Sequence, residues 1–154
     1  MTLEKGSTAP AFAFSTDSGG KIALKDLKGK PVVLYFYPKD DTSGCTREAI
    51  DFTALAKDFA KTGATVIGVS KDSVERHDKF KAKHKLGVTL GADPDGTACE
   101  AYGVWVEKSL YGRKYMGIER ATFLIDAKGK IAEVWRKVKV ADHAKTVLAA
   151  VKVL

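Results

Sequence analysis

Two uninterrupted apolar segments, separated by a helical pattern, constrain the fold of this chain more than any other feature. The segments are KPVVLYFYP (30–38) and TVIGVS (65–70), and their apolar residues on both faces are typical of strands buried inside a sheet. Between them, residues 43–62 carry apolar side chains at helical spacing, and Gly63 follows as a helix C-cap. A strand, a helix and a strand in this order predict a parallel pair joined by a right-handed crossover.

Shorter elements extend this unit on both sides. Before it, strands are predicted at 11–16 and 21–27; after it come a helix from Ser73 to Leu86, a strand at 88–93, a short helix at 95–104, an antiparallel hairpin at 121–126 and 130–137, and a final helix from about Asp142. Residues 105–119 are expected to be mostly loop. We therefore expect an α/β fold, a thioredoxin-like three-layer sandwich with a central mixed β-sheet, an N-terminal strand pair and an insertion.

The length of the chain and its cysteine content indicate its class. With 154 residues, it is expected to form a single domain, 1–154, with a sizeable core. The N-terminal residues MTLEKGSTAPAF contain no apolar leader, and the longest apolar run, VVLYFY, is too short to span a bilayer. We therefore expect a cytoplasmic protein in a reducing compartment, whose two cysteines are free thiols or redox groups.

Positive charge is concentrated in one segment of a chain whose net charge is +7. Residues 71–85 contain six basic and three acidic side chains, which would suit either an anionic partner such as nucleic acid or a solvated helix face. The segment lacks interleaved aromatic residues and matches no nucleic-acid-binding motif. This favours the solvated face, and we expect neither a nucleic-acid nor a membrane partner.

Cys45 lies in the first turn of the predicted helix 43–62. Unpaired N–H groups and partial positive charge at a helix N-terminus stabilise a thiolate, which is the nucleophilic form of cysteine. Thr42 has the spacing of an N-cap, Gly44 allows close backbone approach, and Pro38 makes the start of the loop rigid. A cysteine at this position also fits a small buried apolar residue, so position alone leaves both interpretations open.

The whole stretch YFYPKDDTSGCTREA is more specific. Its PKDDTSGC motif resembles the P-x-x-x-[T/S]-x-x-C pattern of peroxiredoxins, and the flanking residues are most similar to the bacterioferritin comigratory protein, or peroxiredoxin Q, subgroup. Later blocks are similar too, including VIGVSKDSVERHDKF and CEAYGVWVEKSLYGRKYMGIERATFLID. The resemblance implies a thiol-dependent peroxidase that reduces hydrogen peroxide and organic hydroperoxides and serves antioxidant defence.

The resemblance also implies roles for single residues. Cys45 would be the peroxidatic cysteine, whose thiolate becomes a sulfenic acid. Arg120 would favour that thiolate and hydrogen-bond the peroxide; without the resemblance it is a charge at the end of a strand. The Thr42 hydroxyl would hold the peroxide, Pro38 would shield the sulfur, and the backbone N–H groups of Gly44 and Cys45 would complete the cradle.

The sequence departs from the family pattern around this motif. Ser43 replaces the usual proline, which should soften the loop, and the two common positions of a resolving cysteine hold Ile50 and Lys81. Only Cys99 remains, and it could resolve the sulfenic acid within the chain, resolve it across a dimer, or be inert. The inert alternative is favoured because small buried cysteines are common. Cys45 would then be regenerated by an external thiol, such as thioredoxin or glutaredoxin with glutathione.

Other kinds of site are disfavoured. His77 and His84 are seven residues apart and the two cysteines are not spaced for zinc, so no metal and no cofactor are expected. A C-x-x-C motif and a phosphate-binding loop are both missing. The rival hypothesis is a non-catalytic binding module of thioredoxin fold that uses its basic surface. The combination of Cys45, Thr42 and Arg120 favours the enzyme, which is expected to be a monomer or a weak dimer.

Overall fold

The chain folds around one seven-stranded sheet with a separate two-stranded hairpin. The computed structural model describes residues 3–154, so the first two residues of the expected domain 1–154 lie outside it. The elements are, in chain order, β1 (Ala13–Thr16), β2 (Lys21–Ala23), β3 (Val32–Phe36), α1 (Ser43–Ala54), α2 (Ala56–Lys61), β4 (Thr65–Ser70), α3 (Val74–His84), β5 (Thr89–Ala92), α4 (Thr97–Ala101), β6 (Trp105–Leu110), β7 (Arg113–Ile118), β8 (Ala121–Ile125), β9 (Ile131–Trp135) and α5 (His143–Lys152).

The sheet is mixed, and its strand order is β2-β1-β5-β4-β3-β8-β9. Strands β3, β4 and β5 are parallel, as the pattern of strand, helix and strand predicts. Strands β8 and β9 form the predicted antiparallel hairpin, and β8 runs antiparallel to β3. The N-terminal pair β1–β2 joins the opposite edge through β5. The predicted central mixed sheet and strand pair are therefore confirmed.

Two apolar cores lie on the two faces of this sheet. Along β3, Leu34 and Phe36 contribute to one core, whereas Val33 and Tyr35 contribute to the other. Helix α4 covers the first face, and helices α1, α2, α3 and α5 cover the second. This is the predicted three-layer arrangement. None of the helices within residues 3–154 is long and apolar enough to cross a membrane.

Two predicted elements are interrupted by a change in backbone geometry. The predicted helix 43–62 divides at Leu55, where the backbone leaves helical geometry. The hydroxyl of Thr53 explains the break, because it donates to the carbonyl of Ala49 (2.7 Å) and accepts from the N–H of Gly87 (2.9 Å). The predicted strand 21–27 ends at Ala23, and a 3-10 turn over Leu24–Leu27 follows.

The expectation that 105–119 is mostly loop is wrong. Strands β6 and β7 pair in antiparallel register from Trp105–Ile118 to Leu110–Arg113. Tyr111 and Gly112 connect them with φ angles of 50° and 77°, the left-handed geometry of a tight two-residue hairpin turn. Most side chains of the hairpin are exposed, so the two strands lack the apolar alternation by which a strand is recognised in sequence.

Candidate active site

The site lies at the edge of the sheet where β3 ends and α1 begins. Strand β8 runs antiparallel to β3, and its first residue, Ala121, pairs with Phe36, the last residue of β3. Arg120 directly precedes β8 and therefore reaches the loop that connects β3 to α1. Cys45 is the third residue of α1 and is 1% exposed. The topology thus brings together two residues that are 75 positions apart in sequence.

Arg120 contacts the sulfur directly. Its Nη2 group donates to Cys45 Sγ over 3.2 Å. The sulfur also lies in the first turn of a helix of 12 residues, where free backbone N–H groups and the helix dipole favour negative charge. A fixed guanidinium and a helix N-terminus both stabilise a thiolate at this position.

Gly44 provides the space for this contact. A Cβ atom at Gly44 would lie 3.2 Å from Arg120 Nη2, which is closer than ordinary van der Waals contact. The missing side chain therefore lets the guanidinium pass over the first turn of α1.

Glu48, which the sequence analysis did not identify, holds the other side of the guanidinium. Arg120 Nη1 donates to Glu48 Oε1 over 2.7 Å, and Glu48 is 1% exposed. Burial raises the pKa of Glu48 to about 7, although Arg120 acts in the opposite direction. Glu48 Oε2 has no hydrogen-bond partner among the described residues. Its position three residues after Cys45, on the same helix face, is the one signal by which the sequence could have indicated it.

Replacing Glu48 with glutamine should change how stability depends on pH. The folded protein favours the protonated carboxyl, because its pKa of about 7 lies above the ordinary value of 4.5. The parent therefore loses stability relative to Glu48→Gln as the pH rises from 4.5 through about 7. The loss is on the order of 3 kcal/mol in the free energy of unfolding. Urea titrations at about pH 5 and about pH 8 measure it, and an equal difference between the two proteins at both pH values would contradict it.

Thr42 and Pro38 lie in the loop before α1. Thr42 is the N-cap residue of α1, as its spacing predicts, although its side chain makes no capping hydrogen bond. The hydroxyl instead donates to the carbonyl of Lys39 over 2.8 Å. Its oxygen can therefore still accept a hydrogen bond from a ligand. Pro38 is half-buried.

Cys99 lies apart from this group. It packs in the core on the opposite face of the sheet from Cys45. Its backbone N–H donates to Asp93 over 2.9 Å, and its side chain is 0% exposed. Burial, followed by the Asp93 carboxylate, raises the pKa of the Cys99 thiol far above its usual range. Both cysteines are free thiols.

Lys108 adds a second cation near Cys45 that the sequence analysis missed. It lies on β6, and its side chain runs along Gly117 of β7. Burial lowers the pKa of Lys108, and the like charge of Arg120 lowers it further. The hairpin that the sequence analysis expected to be a loop thus contributes charge to the surroundings of the sulfur.

The two histidines considered for a metal site bind carboxylates instead. His77 contacts Asp40, and His84 contacts Asp41. Within residues 3–154, no three His, Cys, Asp or Glu side chains come together as metal ligands.

Comparison with known proteins assigns the chain to a family. The family model of AhpC/TSA matches residues 5–134. The peroxiredoxin Bcp of Bacillus subtilis is 50% identical over 152 residues, which cover 99% of this chain and 97% of that protein. The chain belongs to the AhpC/TSA family, as a peroxiredoxin of the Bcp group.

Solved structures agree with this assignment to the AhpC/TSA family. The bacterioferritin comigratory protein of Xanthomonas campestris superposes with a TM-score of 0.88 at 46% identity, covering 92% of this chain and 90% of that one. A cysteine-to-serine mutant of Xylella fastidiosa PrxQ superposes with a TM-score of 0.94 at 39% identity, covering 99% and 98%. The suggested peroxiredoxin Q subgroup and the thioredoxin-like fold are therefore confirmed. The roles of the single site residues stay predictions.

Proposed function

We propose that this peroxiredoxin is a thiol-dependent peroxidase in which Cys45 reduces hydrogen peroxide and organic hydroperoxides. The observation that carries the proposal is the Arg120 Nη2 contact to Cys45 Sγ, 3.2 Å long, at the N-terminus of α1. The related Xanthomonas campestris protein has been studied for alkyl peroxide reduction, which supports an organic hydroperoxide as one substrate.

The chemistry follows from the groups around the sulfur. The Cys45 thiolate attacks the terminal oxygen of the hydroperoxide, and the O–O bond breaks as the S–O bond forms. The sulfur of Cys45 becomes a sulfenic acid, and the departing oxygen takes up a proton to give water or an alcohol. Arg120 and the N–H groups of the first turn stabilise the negative charge that moves onto the leaving oxygen. The Thr42 hydroxyl oxygen accepts a hydrogen bond from the peroxide O–H, and Pro38 limits access of water to the sulfur.

An external thiol is proposed to regenerate the Cys45 thiol from its sulfenic acid. Ile50 and Lys81 occupy the positions at which a resolving cysteine would be expected, and Lys81 instead binds Asp17 over 2.7 Å. Cys99 lies across the sheet from Cys45, which supports the inert alternative. Two external thiols therefore reduce the sulfenic acid to the Cys45 thiol, with release of water and formation of one external disulfide. Thioredoxin, or glutaredoxin with glutathione, fits this requirement.

The rival hypothesis of a binding module receives less support. Its basic surface was expected in 71–85, and several cations there already have carboxylate partners. Lys81 binds Asp17, and Lys83 binds Asp41 over 2.7 Å. Such paired charges are typical of a solvated helix face.

One trapping experiment tests the proposed function. The reduced protein is mixed with one equivalent of hydrogen peroxide and a reagent specific for sulfenic acids, and the labelled peptide is found by mass spectrometry. We expect the label on Cys45 and none on Cys99. The matched control Cys99→Ser should give the same labelling and the same rate of peroxide consumption. A label on Cys99, or a disulfide between Cys45 and Cys99 in the parent, would contradict the assignment.

A further inference from the structure

A buried polar network ties the loop before α1 to helix α3, outside the group that contacts the sulfur. His77 of α3 is 0% exposed, and its Nδ1 lies 2.6 Å from Asp40 Oδ2. The hydroxyl of Tyr37 donates to Asp40 Oδ1 over 2.5 Å. Asp40 itself is 5% exposed. Three side chains thus meet in the core beneath the loop that carries Pro38 and Thr42.

The contacts of His77 fix where the protons lie. Its Nε2 lies 3.1 Å from the carbonyl oxygen of Gly91, which can only accept, so Nε2 donates. A second proton must lie between Nδ1 and Asp40 Oδ2. Without it, two lone pairs would face each other over 2.6 Å and repel. Burial raises the pKa of Tyr37, so its hydroxyl keeps its proton and donates. Every side-chain oxygen of Asp40 therefore has a hydrogen-bond partner.

The backbone of the same loop is held as well. The N–H of Asp40 donates to Asp72 Oδ2 over 2.8 Å, and that oxygen also accepts from Ser70 over 2.7 Å. Asp40 is therefore fixed through both its side chain and its main chain. Thr42, the N-cap of α1, follows Asp40 by two residues. The position of Asp40 therefore sets the position of the groups around Cys45.

We propose that Asp40 and His77 are positioning residues for the peroxide reaction of Cys45, acting by holding the loop 38–42 against α3. Neither side chain hydrogen-bonds to the sulfur, which accepts from Arg120. They determine instead where Thr42 and the helix N-terminus lie relative to the attacking atom. The inference rests on the proposed reaction of Cys45 with peroxide.

A second contact between the same loop and the same helix supplies a matched control. Asp41 binds Lys83 and His84 of α3, but Asp41 and Lys83 are exposed to solvent, and such surface ion pairs contribute little. Asp41 has a φ of 60°, which asparagine tolerates. Asp41→Asn therefore removes the negative charge from the exposed contact and leaves the buried contact in place.

The test compares Asp40→Ala, Asp40→Asn and Asp41→Asn in two reactions of the full chain. The first is the single-turnover rate with hydrogen peroxide, and the second is the alkylation rate of Cys45 by a bulky reagent. We expect Asp40→Ala to lower the peroxide rate about 10- to 100-fold, because a misplaced group near the reacting atoms has an effect of this size. Alkylation should accelerate at least about twofold, because a loosened loop exposes the buried sulfur.

The conservative variants separate positioning from a loss of stability. Asp40→Asn keeps one acceptor oxygen for Tyr37 and offers an NH2 donor to Nδ1 of a neutral His77, so it should recover most of the peroxide rate. Asp41→Asn should match the parent. Because Asp40 and His77 act as a pair, Asp40→Ala combined with His77→Gln should lose no more than the larger single effect. A lower folded fraction would also accelerate alkylation, because Cys45 is 1% exposed in the folded protein. The folded fraction of each variant is therefore measured by circular dichroism, and the rates of Asp40→Ala and Asp40→Asn are compared at equal folded fraction.

The outcomes are distinct from those that test Cys45 itself. If folded Asp40→Ala matched the parent in both reactions, or if both rates fell by the same factor, the positioning role would be overturned. Failure of the proposed function would show earlier, as a parent protein that does not react with peroxide. The alkylation comparison between Asp40→Ala and Asp41→Asn would still decide whether the buried pair holds the loop.

Discussion

Replacing Cys45 with serine should lower peroxide consumption by at least about 1,000-fold, to the level of the reaction without protein. A serine hydroxyl is almost wholly protonated at neutral pH, and its oxygen does not form a stable product corresponding to a sulfenic acid. The change removes one buried sulfur, so the fold should persist. Peroxide loss is followed with a colorimetric peroxide assay in the presence of excess external thiol.

Cys99→Ser is the matched control for this experiment. It makes the same substitution in a cysteine that is also buried, on the other face of the sheet. We expect it to consume peroxide at the parent rate, with a lower free energy of unfolding. The rival binding module makes the opposite prediction, since neither cysteine would then matter to peroxide. Equal peroxide consumption by the parent and Cys45→Ser would reject the enzymatic proposal.

The fold was predictable where its elements are buried on both faces. The segments VVLYFY and TVIGVS form β3 and β4, because a continuous apolar run lets alternate side chains pack into the two cores on opposite faces of the sheet. The hairpin β6–β7 was missed because its exposed strands need no apolar pattern. Its one local signal was Tyr111-Gly112, which lacks the asparagine or aspartate typical of such turns.

The site was predictable only in part, for a related reason. Cys45 and Thr42 belong to a local motif, and Arg120 was found through family resemblance, because the pairing that brings it to Cys45 depends on the register of β3 and β8. Glu48 was missed because a carboxylate one helical turn along normally faces solvent, and here a buried guanidinium holds it inside. The contacts of Asp40 and His77 span 37 positions, so no local pattern could reveal them.

The second large effect is expected from replacing Arg120. Arg120→Met should lower the rate of peroxide reaction by about 100-fold or more, the size found when one preorganised donor to a developing charge is removed. Methionine keeps much of the length of the side chain and fills the same space without a charge. Cys45 loses the donor that lies 3.2 Å from its sulfur. The thiolate fraction, from its ultraviolet absorbance at neutral pH, should fall in parallel.

Arg120→Lys separates charge from geometry. Lysine keeps the positive charge but cannot reproduce the two arms that bind Cys45 and Glu48 together. We therefore expect it to recover part of the thiolate fraction and less of the peroxide rate. If Arg120→Lys matched the parent in both measurements, charge alone would be sufficient and the planar fork would have no role.

Glu48 decides how the loss in Arg120→Met is interpreted. Without the guanidinium, Glu48 is a buried carboxyl with no cation, and its pKa should rise further above about 7. It then becomes neutral at the assay pH and adds no repulsion to the Cys45 thiolate. Combining Arg120→Met with Glu48→Gln should therefore give the same peroxide rate as Arg120→Met alone. A double variant that regained the parent rate would show that Glu48, rather than the missing donor, had slowed the reaction.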